Sequence, residues 1–157
     1  MTKKLYIMCG PPGSGKSTWL KKRVPADKIV SRDLIRFDFL RPGDDYFKYE
    51  NEVKRLFVAN IQEKLNQYDE VYADATHLTP KSRAELLRSL SLTDVEVNAI
   101  AFEVPLRICL ERNDLRSGRS VVPRNIVRRM YESYTYPTHT EGFTHIYYAN
   151  TEGGLRI

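Results

Sequence analysis

The chain has 157 residues, of which 25 are Lys or Arg and 20 are Asp or Glu, so its formal net charge is +5. This length allows one folded domain whose core needs neither disulfides nor metals, and the 41% hydrophobic content excludes a disordered chain. The longest apolar run near the start, residues 5–9, is too short for a signal peptide or a membrane span.

The hydrophobic pattern alternates between strand and helix along the whole chain. In chain order it predicts a strand over 4–9, a helix ending near 24, a strand over 28–31, a helix over 32–40, a long helix ending near 67, a strand over 70–74, a helix from 80, a strand over 95–102, a helix over 105–113, a helix from 123 and a strand over 144–149. Asp44 or Asp45 is expected to cap the long helix, and Thr79 the helix after it.

The predicted strands are apolar throughout, which is typical of a parallel sheet covered by helices on both faces. We therefore expect a single α/β domain over residues 1–157. Because such sheets bind ligands beyond the carboxyl ends of their strands, the segments that follow the strands are the candidates for function.

Residues 10–17, Gly-Pro-Pro-Gly-Ser-Gly-Lys-Ser, match the phosphate-loop pattern between a strand and a helix. Their glycines let backbone amides point at phosphate oxygens, at the positive end of the helix that follows. Lys16 is expected to reach the β- and γ-phosphates, and Ser17 to bind Mg²⁺. The predicted ATP contacts in this segment are Gly10, Pro11, Pro12, Gly13, Ser14, Gly15, Lys16, Ser17 and Thr18.

GTPases, motor ATPases and kinases all hold nucleotides with such a loop. The chain lacks the Asn-Lys-x-Asp motif that reads guanine, and it is too short for a multidomain ATPase. Its second half also carries an arginine-rich loop between two helices. These observations favour a small phosphotransferase.

Asp33 and Arg36 follow the second predicted strand and share one face of the next helix. Asp33 can accept the proton of an attacking hydroxyl, and Arg36 can hold an acceptor phosphate with its planar fork. The alternative is a helix-capping Asp in an intrahelical ion pair.

Asp74, Thr76 and His77 follow the third predicted strand. Asp74 can contact Mg²⁺ through water or orient Ser17. Thr76 and His77 can line the acceptor pocket, although a backbone hydrogen bond at the helix entry is an equal alternative for His77.

Arginines bracket the polar segment 113–120, which can close over ATP as a lid. A lid arginine can stabilise the charge that develops on the transferred phosphoryl group. We expect Arg116 in this role, with Arg119 as the second choice and Arg112 as mainly structural. The alternative is a solvated basic loop.

Five segments of the chain resemble the polynucleotide 5′-kinase family, in particular the kinase modules of phage and bacterial nucleic-acid repair enzymes. They are GPPGSGKSTW at 10–19, SRDLIR at 31–36, DATHLTP at 74–80, ERNDLRSGR at 111–119 and EGFTHIYYANT at 141–151. They occur in the family's order and spacing over nearly the whole chain. Arg32 stands where a small or polar residue is expected, and His77 where Asn is more usual.

The resemblance implies ATP and Mg²⁺ as cofactors and a five-stranded parallel sheet in the order 2-3-1-4-5, with an arginine-bearing lid. It implies that Asp33 is the general base toward a polynucleotide 5′-hydroxyl and that Arg36 lies on the 3′-phosphate side of the acceptor. It also places Arg116 and Arg119 at the γ-phosphate. A metal role is the alternative for Asp33.

The resemblance further implies that Asn150 and Thr151 lie near the adenine. The expected partner is a nucleic acid 5′-OH end rather than a membrane. The kinase is expected either to act alone or to recruit separate phosphatase and ligase enzymes. Cys9 and Cys109 are expected to be buried free thiols in a reducing cytoplasm, that of the host if a phage encodes the protein.

Two other functions remain open. A kinase of this fold can act on another acceptor, such as a nucleoside, an aminoacyl-tRNA or a small metabolite, through changes around Asp33 and Arg36. A binding module gated by ATP would need no acceptor hydroxyl near Asp33. The sequence favours the kinase.

Overall fold

The computed structural model describes residues 2–157, apart from the side chain of Arg119. The described residues form six strands and six α-helices: β1 (Lys3–Cys9), α1 (Lys16–Arg23), β2 (Ile29–Ser31), α2 (Arg32–Phe39), α3 (Glu50–Gln67), β3 (Glu70–Asp74), α4 (Pro80–Ser89), β4 (Val95–Phe102), α5 (Leu106–Asp114), α6 (Arg124–Ser133), β5 (Ile146–Ala149) and β6 (Leu155–Arg156). None of these helices has the length and apolar character needed to cross a bilayer.

The strands form one sheet in the order β2-β3-β1-β4-β5-β6. The first five pair in parallel, which confirms the predicted order 2-3-1-4-5. Strand β6 pairs antiparallel with β5 and makes the sheet six-stranded, not five-stranded. Its two exposed residues are too few to show a hydrophobic period, so the sequence gives no signal for it.

Helices cover both faces of the sheet, as the apolar strands predict. Along β1, Leu5 and Ile7 pack into one cluster with Phe57 of α3. Met8 points the other way and packs with Leu20 of α1 and with residues of α5 and α6. This alternation follows from the period of two along a strand.

The long helix α3 begins at Glu50 and not next to Asp44 or Asp45, which corrects the predicted cap. The Asp44 carboxylate instead accepts a hydrogen bond from the Arg41 amide at 2.9 Å and closes a turn. The chain from 44 to 49 then turns again before the helix, with Lys48 N donating to the carbonyl of Asp45 at 3.0 Å.

The parallel register brings three predicted segments to one edge of the sheet. Ser31, the last residue of β2, lies beside Asp74, the last residue of β3. The amide of Gly10 donates to the carbonyl of Thr76 at 2.8 Å, which ties the phosphate loop to the segment after β3. The candidate site is therefore built where parallel sheets bind ligands.

Candidate active site

The loop over residues 10–15 is packed too closely for side chains at its glycines. Gly13 and Gly15 have φ of +83° and +97°, a conformation that strongly favours glycine. A Cβ at Gly13 would lie 2.2 Å from the carbonyl oxygen of Cys109 on α5, and one at Gly10 would lie 2.7 Å from Ser14 Oγ. The loop therefore has the tight backbone that a phosphate cradle requires.

Lys16 is 8% exposed and folds back over the loop. Its ammonium donates to the carbonyl of Gly10 at 2.7 Å and to that of Pro11 at 3.0 Å. Burial lowers the pKa of Lys16 from its ordinary value, although Asp74 and Asp33 oppose this. A buried ammonium that has only neutral hydrogen-bond acceptors is well placed to attract phosphate oxygens.

Ser17 Oγ donates to Asp74 Oδ2 at 2.8 Å, which joins the start of α1 to the end of β3. Asp74 is 6% exposed, and burial raises the pKa of its carboxyl group above the usual range. Mg²⁺ in kinases is typically held by one or two protein oxygens together with phosphates and water. This hydroxyl and carboxylate pair fits such an ion.

A cavity of about 110 Å³ opens beside the loop, and we call it the inner cavity. It brings together predicted residues from the segments after β1, β2 and β3 and from the lid. Its lining residues are Pro12, Gly15, Lys16, Ser17, Thr18, Arg32, Asp33, Arg36, Tyr46, Phe47, Glu50, Asp74, Ala75, Thr76, Arg116, Val122 and Met130.

A second cavity of about 440 Å³, the outer cavity, lies along the start of α1. Asn150 and Thr151, which were predicted to lie near the adenine, line it together with the loop residues Gly13, Ser14 and Gly15. The side-chain oxygen of Asn150 accepts hydrogen bonds from the backbone amides of Glu152 and Gly154 at 3.1 and 2.8 Å. These bonds stabilise the turn into β6.

Arg112 joins the two walls of the outer cavity. Its Nη1 donates to the carbonyl of Ser14 at 3.2 Å and its Nη2 to that of Thr151 at 2.8 Å. The structure therefore gives Arg112 the structural role expected of it and places it beside the loop.

Arg116 lines both cavities, and its Nη1 donates to the carbonyl of Ser120 at 3.3 Å. The side chain of Arg116 therefore lies at the boundary between the two cavities. The side chain of Arg119 lies outside the described residues, so its role stays a prediction.

Asp33 stands at the inner cavity with its side chain 47% exposed. Its Oδ1 accepts hydrogen bonds from Arg36 Nη1 and from the hydroxyl of Tyr46, the latter at 3.1 Å. Among the described residues both contacts are made to Oδ1. They leave the second carboxylate oxygen available to a ligand.

Arg36 is 4% exposed, and each nitrogen of its guanidinium has an acceptor within the protein. Nε and Nη2 donate to the Glu50 carboxylate at 3.2 and 2.9 Å, and Nη1 donates to Asp33 and to the hydroxyl of Tyr46. The sequence predicted that Arg36 offers its planar fork to an acceptor phosphate. The structure does not support this prediction, because the guanidinium is already engaged within the protein. The structure makes Arg36 the partner of Asp33.

Tyr46, Phe47 and Glu50 line the inner cavity, and none of them was predicted as a site residue from the sequence. The Arg36 guanidinium lies over the rings of Tyr46 and Phe47, at 4.8 and 5.5 Å from their centroids. The signal available in the sequence was the pair of aromatic residues Tyr46 and Phe47, followed by the acidic Glu50 at the start of the helix.

His77 is 2% exposed and is not among the residues that line the inner cavity. Its Nδ1 is 2.6 Å from the carbonyl oxygen of Met8, and its ring lies 5.9 Å from that of Phe57. Burial lowers the pKa of His77 to about 3, so the ring is neutral at pH 7 and Nδ1–H donates to Met8. The predicted acceptor contact is therefore replaced by the alternative, a backbone hydrogen bond.

One curated relative matches nearly the whole chain. It is transcription factor bHLH140 of Arabidopsis thaliana, which is 25% identical over 159 residues. The match covers 96% of this chain and 16% of that relative, so the chain spans about a sixth of the relative's length.

Two solved structures illustrate the likeness of the fold. One chain of a Pnkp1/Rnl/Hen1 complex is 26% identical, with a TM-score of 0.58, over 71% of this chain and 39% of that one. A sugar kinase from Janibacter sp. HTCC2649 is 15% identical, with a TM-score of 0.67, over 98% of this chain and 88% of that one. A family model described as an AAA domain, AAA_33, matches residues 5–137. The chain belongs to this family and has the α/β fold of the phosphate-loop kinases.

Proposed function

We propose that the protein transfers the γ-phosphate of ATP to the 5′-hydroxyl of a polynucleotide. One observation carries the proposal: the Asp33 carboxylate lines the same small cavity as Lys16 and Asp74, with an oxygen free for a ligand. A base beside the phosphate loop serves a hydroxyl acceptor. A nucleotide-gated binding module would have no need of it.

ATP and Mg²⁺ are the proposed cofactors. Lys16 and the amides of the loop would hold the β- and γ-phosphates, and Ser17 and Asp74 would hold the ion. When bound, Mg²⁺ neutralises the charge that develops on the phosphate oxygens. Asn150 and Thr151 would contact the adenine from the wall of the outer cavity.

In the proposed reaction, Asp33 takes the proton of the 5′-hydroxyl as the hydroxyl oxygen forms a bond to the γ-phosphorus. The bond between the γ-phosphorus and the bridging oxygen of ADP breaks, and ADP leaves. Arg116 lines both cavities and would stabilise the charge on the transferred group. Lid closure would exclude water from the small inner cavity.

The choice of a polynucleotide rests on three supports. Five segments resemble the polynucleotide 5′-kinase family, and one chain of the Pnkp1/Rnl/Hen1 complex is 26% identical. Arg32 and Arg116 line the inner cavity of a chain with net charge +5. Such a site suits an acceptor that carries phosphates. Separate phosphatase and ligase enzymes are proposed as partners on the same grounds.

The test measures transfer of labelled γ-phosphate from ATP, with Mg²⁺, to 5′-OH DNA and RNA oligonucleotides and to panels of nucleosides and sugars. Asp33→Asn is the test variant. Asp38→Asn is its matched control, because Asp38 is exposed on the same helix and lines neither cavity.

Labelled oligonucleotide with the wild type and Asp38→Asn, and none with Asp33→Asn, would support the proposal. Label on sugars alone, or on no acceptor, would refute the polynucleotide assignment. Loss of ATP binding in Asp33→Asn would assign Asp33 a metal role in place of the base role.

A further inference from the structure

Arg32 is a cation of the inner cavity that the proposed mechanism does not use. It is the first residue of α2, directly before Asp33, and it lines the cavity. Its Nε is buried and has no hydrogen-bond partner among the described residues. Its guanidinium carbon lies 4.7 Å from the centre of the Phe57 ring, and Phe57 is fully buried.

This placement of Arg32 carries several free-energy penalties. A cation at a helix N-terminus opposes the helix dipole. A buried charged donor without an acceptor loses its hydration. Burial also lowers the pKa of the Arg32 guanidinium, although the neighbouring carboxylate of Glu50 acts to raise it. In the described fold, these penalties are offset by the contact with Phe57 and by the charges of Glu50 and Asp33, and not by a hydrogen bond to Nε.

Arg36 differs from Arg32 although both line the same cavity. The guanidinium of Arg36 is already engaged by Glu50, Asp33 and Tyr46. An acceptor anion could reach Arg36 only by breaking a buried ion pair, whereas the guanidinium of Arg32 lines the cavity and forms no ion pair among the described residues that an anion would have to break. The aromatic face of Phe57 holds the guanidinium of Arg32 in one orientation, and a fixed planar fork suits phosphate.

We propose that Arg32 binds a phosphate group of the acceptor next to the hydroxyl that Asp33 activates, and that Arg36 is a positioning residue for Asp33. This inference rests on the proposed function and specifies its substrate. The acceptor carries a phosphate near the reacting hydroxyl, as the terminal nucleotide of a 5′-OH strand carries its 3′-phosphate. A neutral sugar or nucleoside would leave Arg32 unsatisfied.

The experiment compares kcat and KM for a nucleoside 3′-monophosphate and for the matching nucleoside, with labelled ATP and Mg²⁺. Arg32→Met removes the charge and keeps an unbranched stem against Phe57. Arg36→Met tests the positioning role. Arg88→Met is the matched control, because Arg88 is exposed at the far end of α4 and lines neither cavity.

In the wild type we expect a strong preference for the nucleotide over the nucleoside. Arg32→Met should reduce this preference about 10- to 100-fold, mainly by raising KM, since a charge-assisted hydrogen bond is lost. Arg36→Met should lower kcat with both acceptors and leave KM for ATP unchanged, because it disturbs the base. Arg88→Met should keep the preference.

The inference is overturned if Arg32→Met keeps the preference for the nucleotide, or if Arg36→Met is the variant that loses it. A wild type that labels sugars but no nucleoside, nucleotide or oligonucleotide refutes the proposed function and this inference together. Thermal unfolding with and without ADP establishes that each variant is folded. If Arg32→Met does not fold, Arg32→Lys takes its place, with an expected loss of several-fold.

Discussion

Arg36 and Glu50 form a buried two-point ion pair in which Nη2 lies 2.9 Å from Oε1 and Nε lies 3.2 Å from Oε2. The two side chains are 5% and 22% exposed. Since Arg36 also contacts Asp33, this pair connects the first turn of α3 to the proposed general base. Helix α3, which packs Phe57 and Ile61 into the core, thus also determines the geometry of the site.

Replacing Glu50 by Ala should leave the buried guanidinium of Arg36 without its carboxylate partner. This should lower the free energy of unfolding by about 2–3 kcal/mol, slightly less than the loss for a fully buried pair. The double variant Glu50→Ala/Arg36→Met should recover part of this loss, because no uncompensated charge remains. Urea unfolding of the four proteins of this cycle measures the coupling. Strictly additive losses would show that the pair contributes nothing beyond its two separate side chains.

Gly13→Ala should abolish nucleotide binding, because its Cβ would meet the Cys109 carbonyl at 2.2 Å in a backbone conformation with positive φ. Gly43 is the matched control, with φ of +88° and nothing within 4 Å of an added Cβ. Gly43→Ala should lower stability by about 1 kcal/mol through backbone strain alone and keep nucleotide binding.

The measurement for the glycine pair is the rise in melting temperature on addition of ADP and Mg²⁺. We expect the rise in the wild type and in Gly43→Ala and none in Gly13→Ala. An equal rise in all three proteins would mean that the loop can shift away from α5 without losing its ligand.

Asp74→Asn should raise the Mg²⁺ concentration needed for half-maximal phosphate transfer by about tenfold, a loss expected for a carboxylate that supports a bound metal. The amide can still accept the hydrogen bond of Ser17, so the local structure should persist. Asp69→Asn changes the same charge at an exposed position before β3 and should leave the Mg²⁺ requirement unaltered. Equal requirements in all three proteins would exclude Asp74 from the metal site.

The sequence is sufficient to predict the phosphate loop, because a strand, a short glycine-rich turn and a helix are fixed by neighbouring residues. Asp33 and Asp74 were also predictable, since both follow strands whose ends must meet at one edge of the sheet. Tyr46 and Glu50 were not, because their position depends on the turn over residues 44–49 and on packing against α2. Strand β6 depends likewise on a turn held by the side chain of Asn150.

His77 shows most clearly what sequence alone does not reveal, because its role depends on burial. Its pKa is lowered to about 3 in the folded protein from an ordinary value of 6.5. Below pH 6.5 the unfolded chain binds a proton at His77, whereas the folded protein does not until the pH nears about 3. The folded state is therefore most stable above pH 6.5 with respect to this group, and it loses stability as the pH falls from 6.5 toward about 3. His77 alone should reduce the free energy of unfolding by up to about 1.4 kcal/mol per pH unit in that window.

His77→Asn should remove this acid sensitivity and preserve the fold. Asn accepts the positive φ of +43° better than most residues, and its amide can donate to the Met8 carbonyl as the imidazole does. Urea unfolding at pH 7, 6, 5 and 4.5 gives the slope for each protein, with His145→Asn as the control at an exposed histidine. If His77→Asn unfolds with the same pH slope as the wild type, the acid sensitivity arises elsewhere, and the neutral buried imidazole does not control stability in this range.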